Sequence, residues 1–328
     1  MTKDRDACQV TLAYSTHRPE TLPFAADHMR HHEVIILEEP PAPGFADMLE
    51  GGLAIDEYLL QIDFEFPLFA RQVCHLLREL HTEEKIILQV DPYMEILGRV
   101  HDFFANGGAP GELSEDTPEK KVYEAERAWT AALLHFYRQS VRPSFGEVVR
   151  AVQKFARIDA ARGRLRDRMR AEKLATIISR YQSVYVEAGY IHFHLRRALR
   201  QRLPPYCTLT SCYLMEPVIR KLLGRRQVLG PGDLLTLLYT YRPAYQGDAA
   251  PLLAARSLIY IKILEKGEIP AGDTPYPHTR NEIESVGLVA HLCYEECCLL
   301  YGQIRWQKTA PAREIVRSFS KNKEANRI

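Results

Sequence analysis

Apolar residues fall in short unbroken runs in the first ninety positions and again between 184 and 213, and at helical spacing almost everywhere else. The runs are residues 9–16, Glu33-Val-Ile-Ile-Leu-Glu38, Lys85-Ile-Ile-Leu-Gln-Val90, Val184-Tyr-Val-Glu-Ala188 and Tyr206–Tyr213. Continuous apolar runs of this kind suit strands buried on both faces. Between them the pattern predicts helices at 19–31, 43–51, 54–62 and 66–81, with proline at the first turn of the first. Strand, helix, strand, helices, strand is the order of an α/β fold with a mostly parallel sheet.

Two stretches depart from that alternation. Residues 106–117 have the composition of a surface loop, and from Pro118 the pattern is helical until near Arg180. Everything beyond about 215 is also helical: 215–224, 231–242, 249–266, 280–305 and 311–320, with Pro or Gly at the breaks. The expected organisation is therefore an α/β core over 1–214 with a long helical insertion at 106–181, and a helical C-terminal subdomain over 215–328.

In an open parallel sheet the strands end at one edge, and the turns that follow them line a common crevice. His17 follows the first strand, Glu38 and Glu39 end the second before Pro40-Pro41, and Asp91-Pro-Tyr93 ends the third. Gly189 ends the Val184 strand, with His192 just beyond. Two histidines thus stand at equivalent corners.

Composition narrows the function. The 328 residues are 46% hydrophobic and 26% charged, an ordinary globular balance. Forty-three Lys and Arg against 42 Asp and Glu leave no global field to attract nucleic acid or an anionic membrane. No apolar run reaches the roughly 18 residues that cross a bilayer, and Met1–Cys8 lacks the apolar segment of a leader, so a cytoplasmic protein is expected. Seven cysteines are too scattered for a disulfide scaffold. Cys293 and Cys297 share a face of the expected 280–305 helix beside Cys298, but without a CxxC pair.

His17, Glu38 and His192 are donor types that hold a catalytic divalent ion such as Zn, Mn, Co or Fe(II). Their spacing is no local metal motif, and single histidines at turns more often cap or hydrogen-bond. Arg164-Leu-Arg-Asp-Arg-Met-Arg170 is dense in arginine, and Arg162, Arg166 and Arg170 repeat at i,i+4. Such a row is costly unless something anionic meets it, which favours a carboxylate-lined crevice. Secondary candidates are Glu39, Asp91, Tyr93, Asp167 and Glu187. The pair His291 and Glu295, an i,i+4 spacing, reads first as helix-stabilising.

Tyr14-Ser-Thr-His17, Leu37-Glu38, Arg166-Asp-Arg-Met169 and Gly189-Tyr-Ile-His192 together resemble the ordered signature of the TraB/Tiki superfamily, which includes erythromycin esterases and ChaN-like haem-binding proteins. The resemblance covers residues 8–203, and Tyr14 departs from the glycine usual at its first motif. It implies that His17 and His192 are metal ligands or a base acting on water, that Glu38 is the motif glutamate, and that Arg166 holds an anionic group or steadies an oxyanion. The expected activity is hydrolysis of an ester or amide in a small molecule or peptide, with Mn, Co or Zn or with a His/Glu pair activating water. Two alternatives stand beside it: a non-catalytic binder of haem or another anionic cofactor, with Tyr14, Tyr93 or Tyr190 as axial ligand, and a regulatory module whose C-terminal helices bind a partner or form a homodimer.

Overall fold

A computed structural model describes residues 7–62, 65–142, 144–270 and 272–325. Residues 1–6, on which the expected absence of a leader partly rests, lie outside the described residues. The chain runs β1 (Cys8–Ser15), α1 (Leu22–Arg30), β2 (Val34–Leu37), α2 (Phe45–Glu50), α3 (Ile55–Leu59), α4 (Pro67–Thr82), β3 (Ile86–Gln89) and α5 (Pro92–Ala105). Then come α6 (Pro118–Ser140), α7 (Phe145–Ile178), β4 (Ser183–Gly189), α8 (Phe193–Arg200) and β5 (Cys207–Tyr213). Six helices follow: α9 (Glu216–Leu223), α10 (Pro231–Tyr241), α11 (Ala249–Ile263), α12 (Pro277–Ala290), α13 (Tyr294–Ile304) and α14 (Thr309–Ala325).

The sheet is five-stranded, in the order β3-β2-β4-β1-β5, and every pair is parallel. The expected α/β class is thus present. Strand alternation sends successive side chains to opposite faces. Val10, Leu12, Val34, Ile36, Val184, Val186 and Ala188 pack on one face against Ala171, Leu174 and Ile178 of α7 and Leu195 and Leu199 of α8. Ala13, Ile35, Leu37 and Tyr185 pack on the other, against Met29 of α1, Met48 of α2 and Leu77 and Leu80 of α4. Coverage on both faces is why the strands read as unbroken apolar runs.

Two compact units divide the chain: residues 1–124 with 163–226, and residues 125–162 with 227–328. The middle of the helical insertion therefore groups with the C-terminal helices, and the sheet unit runs on to Arg226. The core of the second unit gathers Val148, Val149 and Ala156 of α7 with Leu258 and Ile259 of α11, Leu300 and Ile304 of α13 and Val316 of α14. Among the described residues, no helix is long and apolar enough to cross a membrane.

The expected helix at 280–305 is two helices. It stops at Ala290 and restarts at Tyr294, where the Glu296 carboxylate accepts the Cys293 N–H at 2.8 Å and caps the new first turn. His291 and Glu295 are consequently not an i,i+4 pair of one helix, and Cys293 is a cap residue rather than a face-mate of buried Cys297.

Candidate functional site

The adjacent strands β2, β4 and β1 end, in that order, at Leu37, Gly189 and Ser15, so the residues just beyond them share one edge of the sheet. Glu38 continues the alternation of Val34 and Ile36 and comes out on the α7 and α8 face. Its Oε1 lies 3.3 Å from Arg166 Nη2 and 3.3 Å from His192 Nε2. Its Oε2 accepts the Gly189 N–H and lies 3.7 Å from Arg170 Nη1.

Each partner of Glu38 is itself anchored. Arg166 Nε donates to Asp91 Oδ2 at 2.8 Å, and Asp91 Oδ1 accepts the Met94 N–H at 3.2 Å, so one buried carboxylate both caps α5 and holds the guanidinium. Arg170, 1% exposed, donates from Nε to the Val90 carbonyl at 2.9 Å. His192 Nδ1 lies 2.6 Å from Asp167 Oδ1. Gly189 leaves room for this closeness, since a Cβ there would stand 3.2 Å from His192 Cδ2 and 3.5 Å from Glu38 Oε2.

The electrostatics follow from burial and charge. Burial alone would push Glu38 up, but the charges of His192, Arg170, Arg166 and His17 outweigh it and hold the carboxyl well below the usual carboxylate range. Burial alone would push His192 down. The carboxylates of Glu38 and Asp167 prevail and raise it.

His17 belongs to the opposite face. It follows Ser15, whose Oγ accepts the His17 N–H at 3.0 Å, and has a φ of 50°, in the left-handed region. Its Nε2 lies 3.6 Å from Oε1 of Glu187, a residue on the same side of the sheet as Tyr185. The imidazole is 36% exposed, against 15% for His192. Glu39 also turns to this side, accepting from Gln89 Nε2 at 2.9 Å, and burial followed by the charge of Glu187 pushes its carboxyl up. The charge of His17 acts on both Glu38 and Glu39.

Of the four residues singled out in the sequence, Glu38, Arg166 and His192 are in direct contact, and His17 stands at the same strand edge with Glu187 as its carboxylate partner. The arginine row does meet carboxylates: Arg162 pairs with Glu126, Arg166 with Asp91 and Glu38, and Arg170 with Glu38. Asp167 and Asp91 are more deeply engaged than their place among secondary candidates suggested, and Gln89 was not singled out at all. Asp167 is adjacent to Arg166 in the expected motif, whereas nothing in the local sequence marks Gln89.

The trio His17, Glu38 and His192 does not converge: Glu38 lies against His192, while His17 is directed to Glu187. Glu38 faces the guanidiniums of Arg166 and Arg170 and the ring of His192, whose Nδ1 is engaged with Asp167. Among the described residues no group of three His, Cys, Asp or Glu is placed to hold an ion. Tyr14 is buried against Tyr213 and Phe193, and Tyr93 against Ile96 and Val100.

Fold and edge define an α/β protein of the open parallel-sheet class with a charged polar network at the carboxyl ends of its strands. A protein of Archaeoglobus fulgidus, described as an uncharacterized protein, is 32% identical over 291 residues, covering 88% of this chain and 97% of the relative. The chain belongs to the family of that archaeal protein. No family model and no solved structure matches it.

Proposed function

We propose that the chain is a TraB/Tiki-like hydrolase that activates water with a histidine–glutamate pair against an ester or amide bond of a small molecule or peptide. The observation that carries the reading is the half-buried His17 with Glu187 at 3.6 Å, at the same strand edge as Arg166 and His192.

In this reading the Nε2–H of His17 is directed to Glu187, which leaves the Nδ1 lone pair to accept a proton from water. The hydroxide adds to the substrate carbonyl, and the oxyanion is steadied by the positive edge of Arg166 and His192. When the intermediate collapses, the C–O or C–N bond breaks and the imidazolium of His17 returns its proton to the leaving alkoxide or amine. Glu38 acts through others, holding Arg166 and His192 in place.

The test is a panel of p-nitrophenyl esters and peptide p-nitroanilides offered to chelator-treated protein. Turnover is expected without added metal and falls roughly 10²- to 10⁴-fold in His17→Ala, the range for loss of a general base. Equal turnover in His17→Ala, or turnover that appears only with added metal, overturns the reading.

A further inference from the structure

Two consecutive residues of the turn after β1 rest on two aromatic rings at the start of α4. The His17 imidazole and the Phe69 ring have centroids 5.7 Å apart at an interplanar angle of 57°, and the Arg18 guanidinium lies 3.7 Å from the centre of the Phe66 ring. Phe66 is the N-cap of α4, and Pro67, Leu68 and Phe69 open its first turn.

That helix start is poorly built for stability. An N-cap favours Ser, Thr, Asp or Asn, whose side chain accepts an N–H of the first turn, and an acidic residue in that turn suits the helix dipole. Phe66 makes no such bond, and the first turn holds no acid. Leu68 is 39% exposed, and Phe66 and Phe69 are half-buried. Three large apolar side chains thus stand where polar ones would serve the helix better. Such breaks of a local rule are expected where a surface has a function of its own.

We infer that the carbonyl attacked at His17 carries a bulky apolar acyl group, which rests on Phe69 and Leu68. The inference depends on the hydrolytic reading of His17 and names its class of substrate. Position makes Phe69 the specificity-determining residue: a ring packed against the imidazole lies beside any carbonyl within reach of the water that His17 activates. Apolar surface in that place discriminates by acyl size, roughly fourfold for each methylene it buries.

The experiment compares p-nitrophenyl acetate with p-nitrophenyl hexanoate as substrates of the full chain. Calorimetric titration with acetate and hexanoate reads the same surface without turnover. The natural chain is expected to favour the longer group by at least about 10-fold in both kcat/KM and affinity, as burial of a few methylenes gives. Phe69→Ala and Leu68→Ser should each cut that ratio at least about threefold, whereas Phe69→Leu, which keeps an apolar surface, should retain most of it. Leu68 is exposed, so its variant should keep the melting temperature of the natural chain. Equal affinity for the two acids, or a ratio unchanged in both Phe69→Ala and Leu68→Ser, overturns the apolar site. A preference in affinity with neither ester turned over upholds the apolar surface and overturns hydrolysis at His17 instead.

Discussion

Glu38 and Glu39 are neighbours in the chain and end on opposite faces of the sheet. Glu38 meets Arg166, Arg170 and His192, while Glu39 meets Gln89 and feels Glu187 and His17. Their environments push the two carboxyls in opposite directions, down for Glu38 and up for Glu39. A pair that reads in sequence as two solvated acids before a proline stop thus belongs to two different polar clusters.

Removing the charge of Glu38 leaves Arg170 buried without its carboxylate. Glu38→Gln is expected to destabilise the fold by about 3–5 kcal/mol, the cost of breaking a buried ion pair. Glu39→Gln, which keeps an acceptor for Gln89 Nε2, should change stability by less than about 1 kcal/mol at neutral pH. Urea denaturation of the two variants side by side reads the difference, and equal losses would refute the separation.

Stability should also depend on pH through His192. Its pKa is raised in the folded chain, so the native state holds more protons than the unfolded one above the unfolded value of about 6.5. The contribution is full below that value and is lost as pH rises through the folded pKa. Melting curves across this window should fall with rising pH in the natural protein and flatten in His192→Gln. Glu38 works the other way, its contribution being lost on acidification below about 4.3, the ordinary glutamate value.

Asp91 does two jobs that substitutions can separate. Asp91→Asn keeps an acceptor for the Met94 N–H but loses the charge that holds Arg166, whereas Asp91→Ala loses both. The alanine variant is expected to be less stable by about a further 1 kcal/mol, the worth of an N-cap. Thermal denaturation of both variants tests this.

The backbone at His17 offers another contrast. Its φ of 50° is unfavourable for a residue with a Cβ and free for glycine. His17→Gly should therefore be more stable than His17→Ala by about 1–2 kcal/mol, while both lose the proposed hydrolysis equally. If glycine is the less stable of the two, the turn is not strained as described.

Much of this architecture was legible in the chain. Runs such as Val34–Leu37 and the turns at His17, Glu38 and Gly189 could be placed because strand burial and chain reversal are local requirements. The motif histidines and Glu38 could be proposed for one edge from strand order alone. Helix continuity across 291–293 misled, because Leu292 prolongs the apolar pattern while the bond from the Cys293 N–H to the Glu296 carboxylate caps a new helix.

What the sequence by itself determined is the set of strands and helices and the edge on which the polar turns lie, because periodicity and turn chemistry act over a few residues. What only the tertiary structure decided is which groups meet: Asp91 with Arg166 across 75 positions, Asp167 with His192, Glu187 with His17. Those pairings come from the register of parallel strands and the docking of α7 on the sheet. A shift of one residue at a strand end would exchange the partners of Glu38 and Glu39, and no local pattern records that choice.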